Sequence, residues 1–289
     1  MPSKVYFTRN IAPESVLKLY EACGLELSGN VAVKLHSGEK GNQNFLPPEF
    51  WRSMIERVHG TVVECNTAYP GSRNTTAAHW QTMRDHGWSD AFTVDIMDEE
   101  GPDLQLLIPN GKVIQKNYVG KHLTRYDSML VLSHFKGHPM GGFGGALKQL
   151  SIGVASSYGK AYIHGAGDAK VGFGADHDSF LASMADAASS VAKRFAGKAV
   201  YINVMKNLSV DCDCCAVAEN PCMADISIMA SLDPIAIDQA CVDMVYAATD
   251  DPGQQHMLER IESRHGIYTI ECAAGLGFGS REYERVDLD

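Results

Sequence analysis

Over residues 4–87 the chain repeats one order three times: a short apolar run, a polar loop, then a helical stretch. Lys4 to Arg9 reads as a strand and Pro13 to Cys23 as a helix. Asn30 to Leu35 (Asn-Val-Ala-Val-Lys-Leu) is the second strand; His36 to Asn44 after it is polar and glycine-containing, and Pro47-Pro48 opens a helix to His59. Thr61 to Cys65 is the third, with Asn66 to Arg73 as exit loop and Asn74 to His86 as a helix ended by Gly87. Proline suits a first helical turn because the N–H it lacks has no partner there. Strands separated by helices cannot pair as tight hairpins, so they lie side by side in one direction with helices covering the faces. The prediction is an α/β fold, a mostly parallel sheet flanked by helices.

The later chain continues the pattern less regularly. Phe92 to Asp98 and Asp103 to Val119 read as an insertion with hairpin character around Asn110-Gly111. Asp127 to Leu132 ends in an apolar burst typical of a buried parallel strand, and Gly144 to Ala155 reads as a helix. Ala161 to His164 reads as a short strand or turn before the flexible Gly165 to Asp168, Phe180 to Phe195 as a helix, and Ala199 to Val204 as a strand. Asp225 to Ser231 leads through Asp233-Pro234, with Asp233 as cap, into a helix to Ala248. Gly253 to His265 is a further helix, and Tyr268 to Ala273 a last short strand before a glycine-rich tail. No internal repeat or long linker marks a boundary, so residues 1–289 read as a single α/β unit, with two lobes meeting near 165–176 as the alternative.

Charge narrows the partners. A net charge of −10 opposes general affinity for nucleic acid or anionic membranes. No stretch approaches the roughly 18 apolar residues of a membrane span, and Met-Pro-Ser-Lys-Val-Tyr lacks the apolar core of a signal peptide, so a cytoplasmic location is expected. Thiols stay reduced there, and the eight cysteines are then apolar residues, metal ligands or redox groups before they are disulfides. Cys23, Cys65, Cys241 and Cys272 are isolated among apolar neighbours, whereas Cys212, Cys214, Cys215 and Cys222 fall close together.

Ser133 to Lys148 (Ser-His-Phe-Lys-Gly-His-Pro-Met-Gly-Gly-Phe-Gly-Gly-Ala-Leu-Lys) joins the predicted strand ending at Leu132 to a helix and holds two histidines, two lysines and five glycines. Loops at the carboxyl ends of parallel strands are where such sheets bind ligands, and Gly142, Gly144 and Gly145 let the backbone approach closely. His138 suits acid–base work. Lys148 sits on the first helical turn, where the macrodipole gives a cation nothing, so it reads as an anion contact or a covalent anchor. His36 with Glu39, and Asn66 with Tyr69, Ser72 and Arg73, leave neighbouring strands at the same edge. Arg73 could hold a carboxylate or phosphate and Glu39 or Tyr69 could move a proton, while Asn66 and Ser72 read equally well as cap and turn residues. For Asp211-Cys-Asp-Cys-Cys215, a soft metal, a redox pair and a buried turn all stay open. In an extended segment Cys212 and Cys214 share a face, and the loop would close over the central pocket.

The motifs His36-Ser-Gly-Glu39, Asn66-Thr-Ala-Tyr69, Ser133-His-Phe-Lys-Gly-His138, Gly142-Phe-Gly-Gly-Ala-Leu-Lys148, Asp211-Cys-Asp-Cys214 and Asp233-Pro-Ile-Ala-Ile-Asp238 resemble, in order, those of the bacterial and archaeal proteins grouped as domain of unknown function 362. Many of these carry a ferredoxin-type insertion and are labelled iron–sulfur proteins. Here only Gly165 to Asp176 stands at that place. A more distant likeness is to the nickel-pincer lactate racemases, and it implies a lactate-racemase-like fold. By that likeness His138 would transfer a proton, Lys148 would anchor the organometallic cofactor and His164 would ligate nickel. Ser72 stands where those racemases have a second catalytic histidine, and His36 to Glu39 lacks the arginine of their cofactor-phosphate loop.

Two functions follow. In the first, a metal- or cofactor-dependent enzyme of isomerase or oxidoreductase type acts on a small anionic substrate by proton or hydride transfer. Its catalytic set is His138, Lys148, Tyr69 and Glu39, its cofactor contacts Lys148, Gly142, Gly144, Gly145, Arg73 and His36, and its metal ligands His164, His138, Cys212 and Cys214, for zinc, nickel or an iron–sulfur cluster. In the second, the chain is a metal- or iron–sulfur-binding accessory protein without catalysis of its own. The sequence leaves the oligomeric state open.

Overall fold

Apolar side chains alternate between two faces along every central strand of the computed structural model, which describes residues 2–101 and 103–289. In chain order the strands are β1 (Ser3–Thr8), β2 (Val31–Lys34), β3 (Thr61–Glu64), β4 (Val94–Ile96), β5 (Leu104–Leu107), β6 (Lys116–Val119), β7 (Ser128–His134), β8 (Lys136–His138), β9 (Gly142–Gly144), β10 (Ala199–Met205), β11 (Ser227–Ser231) and β12 (Tyr283–Asp287). Eight of them form one sheet in the order β12-β1-β11-β10-β7-β2-β3-β4, all parallel except β11, which runs against both neighbours. β5 with β6, and β8 with β9, form separate antiparallel ribbons. The fold is α/β with a mostly parallel sheet. Strand order reverses between β2 and β7: β3 and β4 follow on one side, β10 on the other. Such a switch point opens a crevice beyond the carboxyl ends of the strands, because the loops there diverge.

Val31, Val33, Leu130, Leu132, Val200, Ile202 and Val204 pack beneath the helices Pro13–Ala22 and Pro48–Arg57. The alternate residues Ala32, Met129, Val131 and Tyr201 face the opposite layer, built by helices His177–Arg194, Pro234–Ala247 and Ile267–Gly275. A strand buried on both sides reads as a continuous apolar run, as these do. Asp233 caps its helix as expected, accepting from the N–H groups of Ile235 (2.8 Å) and Ala236 (3.1 Å). No helix among the described residues is long and apolar enough to cross a membrane.

Four local readings change. Ala161 to His164 is not a strand or turn but the end of helix Ser157–His164, started by Ser156, whose hydroxyl accepts from Gly159 N–H (3.0 Å). A side chain at Gly159 would strike the Tyr118 carbonyl at 1.9 Å, so glycine lets this helix lie on β6. Tyr268 to Ala273 lies in helix Ile267–Gly275, which packs Ile270 and Ala273 into the core. The glycine-rich tail ends in the edge strand β12, paired with β1. Lastly, the central loop holds the β8–β9 ribbon, and the helix expected over Gly144 to Ala155 is a single turn, Ala146–Lys148, widening into a π-helical Gln149–Gly153.

Candidate active site

A cavity of about 250 Å³ opens at the switch point, walled by the residues that follow β2, β3 and β7, by Lys148 and His164, and by Cys214 from the loop after β10. Its walls carry five basic side chains, Lys34, Arg73, Lys136, Lys148 and Lys160, against one carboxylate, Glu64. All but Lys148 are fully or almost fully buried. Most find an anion. Lys34 pairs with Glu64 (2.9 Å), Arg73 with Glu39 (3.1 Å) and Glu64 (3.5 Å), and Lys136 with Asp213 (2.6 Å). Glu64 is fully buried, which alone would favour its neutral form, yet Lys34, His36 and Arg73 hold it well below the ordinary glutamate range. Lys148 and Lys160 have no carboxylate within 4.0 Å among the described residues. Lys160 reaches only carbonyls, of Ala155 (2.5 Å) and Cys65 (3.4 Å), and Lys148 reaches the Cys212 sulfur (3.4 Å). A buried cationic side chain with only carbonyl partners is costly, so Lys160 creates a place for a bound anion, and Lys148, already facing the Cys212 sulfur, lines the same cavity.

The helix turn that presents Lys148 is fixed from a distance. Asp238 accepts from the N–H groups of Ala146 (2.7 Å) and Leu147 (2.9 Å) and from Asn203 (2.7 Å). Gly145 allows this, since a Cβ there would lie 2.3 Å from the Asp238 carboxylate. Burial tends to depress Lys148, but Cys212 and Cys214 beside it outweigh burial and push it up, so it stands as an ammonium. That differs from a covalent anchor, which needs a free amine. Cys212 is the matching partner: burial would raise it, and the hydrogen bond with Cys214 together with Lys148, Lys136 and His138 brings it well below the ordinary thiol value.

Two wall histidines are set in opposite tautomers. His138 Nδ1 accepts from the backbone N–H groups of Met140 (3.1 Å) and Gly141 (2.8 Å), so in the neutral ring the hydrogen is on Nε2. His164 Nδ1 faces the Lys160 carbonyl at 2.7 Å and must donate to it, leaving a lone pair on Nε2, which has no partner among the described residues. Burial, then Lys148, pushes His138 down to about 4. Burial, partly offset by the bond to Lys160, pushes His164 down to about 3, with its ring stacked on Phe180. Both are neutral at physiological pH, one offering an N–H and the other a lone pair.

His36, Tyr69 and Arg73 line the cavity as expected, with Arg73 donating to the Tyr69 hydroxyl (3.1 Å) and facing His36 Nε2 (3.2 Å). Burial and then Arg73 hold His36 well below its usual value, and burial raises the Tyr69 phenol. Glu39 is not on the wall. Its oxygens accept from Ser72 N–H (2.5 Å), the Ser72 hydroxyl, Arg73 and Tyr69, which makes it an anchor for Arg73 rather than a proton carrier. Gly144 and Gly145 line the cavity, but Gly142 (φ +78°) serves the backbone, since a Cβ there would lie 2.8 Å from Gly266 Cα. Lys34, Glu64 and Lys160 escaped the sequence reading, although a lysine and a glutamate ending two buried apolar strands were a visible signal.

His138, Cys212 and Cys214 each bring a ligand atom within 4.8 Å of the others, close enough to hold a metal ion. The thiols suit a soft ion, but the imidazole does not complete the set: Nε2 carries its hydrogen while Nδ1 is engaged by two donors, the reverse of a ligating histidine, which donates from its second nitrogen. Lys148 further places positive charge against the Cys212 sulfur. His164 has the ligand tautomer but stands outside this group. A cavity of about 250 Å³ is below the usual range for drug-sized ligands and suits a small anion better than a large cofactor plus substrate.

The sequence profile of domain of unknown function 362 matches residues 31–243, most of the chain and every wall of the cavity. The chain belongs to this family. No curated protein sequence matches it. Among solved structures, the lactate racemase apoprotein from Thermoanaerobacterium thermosaccharolyticum aligns at 13% identity with a TM-score of 0.45, covering 70% of this chain and 50% of that one. A structural-genomics protein from Thermotoga maritima aligns at 12% identity with a TM-score of 0.46, covering 93% and 59%. This family member thus spans about half the length of those two chains.

Proposed function

We propose that the protein is an enzyme of the isomerase type that binds a small carboxylate-like anion at the switch-point cavity, moves a proton through His164 and stabilises the developing charge with a hydrogen bond from His138. The carrying observation is the pairing of a cation-rich wall with two neutral histidines in opposite tautomers. Lys160 and Lys148 would receive the anion, with Arg73 in reach of a second oxygen. His164 Nε2, bearing the lone pair, takes the substrate proton, becomes an imidazolium and returns the proton, while the neutral His138 donates a hydrogen bond from Nε2–H to the charge that develops. Burial and the nearby ammonium groups make His164 weakly basic. A substrate anion supplies countercharge and would raise it toward the useful range.

Incubation with small carboxylates bearing an exchangeable α-hydrogen in D₂O tests the reading by proton NMR. A substrate should exchange that hydrogen, with His138→Asn and His164→Asn each lowering the rate by about 10²-fold or more while binding persists. Lys160→Met should weaken binding. Unchanged exchange in both histidine variants would defeat the assignment. Metal carriage is the second reading, favoured by the closeness of the Cys212 and Cys214 sulfurs, and predicts a stoichiometric ion lost in Cys212→Ala but kept in His138→Ala.

A further inference from the structure

Cys212 and Cys214 flank Asp213, and that residue is pinned. Its carboxylate takes Lys136 at 2.6 Å and His134 Nδ1 at 2.9 Å, while its carbonyl accepts from Glu39 N–H at 2.8 Å. The Cys212 carbonyl accepts from Cys215 N–H (2.9 Å), closing a turn, and Asn42 donates to the carbonyls of Cys212 (3.3 Å) and Cys215 (2.9 Å). The flanking side chains are thereby held on one side. Their sulfurs lie within 4.8 Å of each other, a grouping that does not include Cys215.

Donors surround this pair. Lys148 Nζ and the Cys214 N–H each lie 3.4 Å from the Cys212 sulfur, and His138 Nε2, the protonated nitrogen, lies 3.8 Å from the Cys214 sulfur. Cys214 is on the cavity wall and partly exposed, whereas Cys212 is 1% exposed behind it. Nothing in the proton-transfer reading uses either sulfur. An accessible sulfur backed by a buried one that cannot itself meet a bulky reagent is the arrangement of an attacking and a resolving cysteine.

We infer that Cys212 and Cys214 are a redox-active dithiol, closing to a disulfide when a small organic disulfide enters the cavity. The Lys148 ammonium and the His138 N–H facing the two sulfurs favour ionising one thiol of the pair, and the remaining proton can sit on either sulfur. With that proton on Cys212, the Cys214 thiolate attacks one sulfur of the oxidant R–S–S–R, forming Cys214–S–S–R and breaking the oxidant's S–S bond. The departing RS⁻ takes the proton from Cys212 and leaves as RSH. Cys212, now a thiolate, attacks the Cys214 sulfur, forms the Cys212–Cys214 bond and expels the second RS⁻. Two electrons pass from the cysteines to the oxidant. Closure brings the sulfurs to about 2.05 Å and leaves Lys148 without its thiolate partner. Because Lys148 and His138 stabilise the reduced, anionic form, the pair should be readily reducible, an oxidising couple rather than a structural crosslink.

The test uses the full chain, reduced, treated with a chelator and equilibrated anaerobically in 2-mercaptoethanol buffers of rising 2-hydroxyethyl disulfide fraction, then acid-quenched and alkylated. Two cysteines should lose alkylation together, with a loss of two mass units mapped by fragmentation to Cys212 and Cys214. Cys214→Ser should abolish that step. Lys148→Met should move half-oxidation about tenfold toward more reducing buffers, since it removes a stabiliser of the thiolate. If either variant does not fold, mapping in the native sequence decides alone. Thiols that stay alkylatable in the most oxidising buffer, a disulfide mapped to Cys215 instead, or a stoichiometric metal that must be stripped before the thiols react would each overturn the inference.

Discussion

Buried charge concentrates around one cavity, and the pairings there decide both stability and binding. Glu64 serves Lys34 and Arg73 together and also accepts from Ser37 N–H at 2.8 Å. Glu64→Gln keeps the shape but leaves two buried cations short of their shared anion, which should cost about 3–5 kcal/mol at pH 7. The pH dependence has a definite sign. Burial raises the Glu64 carboxyl, but Lys34, His36 and Arg73 win and lower it from its ordinary 4.5. An acid depressed by folding stabilises fully above its unfolded value, and the contribution disappears as pH falls through the folded one. Urea unfolding at several pH values should therefore show the gap between Glu64→Gln and the native protein closing below about pH 4.5; a gap that widens there would contradict the pairing. Sequence reasoning could see His138, Lys148, Arg73 and the cysteines, because their residue types advertise chemistry. It could not see that the Met140 and Gly141 amides fix the His138 tautomer, which depends on how the loop closes on itself.

At the level of elements, the short turn Ala146–Lys148 owes its position to Asp238, a residue on another helix. Gly145→Ala would push a methyl to within 2.3 Å of that carboxylate, whereas a Cβ at Gly144 meets nothing closer than Lys148 Cδ at 3.4 Å. Gly145→Ala should lose about 1–3 kcal/mol and weaken anion protection, as the turn and Lys148 shift together. Gly144→Ala should do markedly less of both. Equal losses in thermal and ligand-binding assays would show that the cap does not position the lysine. The same remoteness explains which elements were legible. The central strands announce themselves as apolar runs, and prolines and Asp233 mark helix starts. Ala161 to His164 and Tyr268 to Ala273 hold tyrosine, isoleucine and threonine in runs too short for periodicity to choose, and packing onto β6 and helix His177–Arg194 chose helix. β12, with Glu284, Arg285 and Asp287, reads as a polar tail because an edge strand keeps water on one side and uses charge to discourage further pairing.

Across the whole molecule, the two halves of the sequence are interleaved in the sheet. β1 lies between β11 and β12, so the amino-terminal strand is held by two carboxyl-terminal ones, and β7 bonds to β2 on one side and β10 on the other. The cavity repeats this, taking Lys34, Glu64 and Arg73 from before residue 100 and Lys148, His164 and Cys214 from after it. Unfolding only one side of residues 165–176 would break the β1–β11, β1–β12 and β7–β10 pairings. The three tryptophans, Trp51, Trp80 and Trp88, all report on the helices near β2–β4. Far-UV circular dichroism reports every helix, including His177–Arg194 and Pro234–Ala247. In urea the two signals should therefore change in one coincident transition. Two lobes divided near residues 165–176 would instead separate the midpoints, with fluorescence following only the first. A bound anion extends the test, because its walls come from both sides of that segment. At about 100 times its Kd, the anion should stabilise the protein by about 2.7 kcal/mol and move both midpoints together; a shift confined to the fluorescence would mean that the cavity belongs to one lobe.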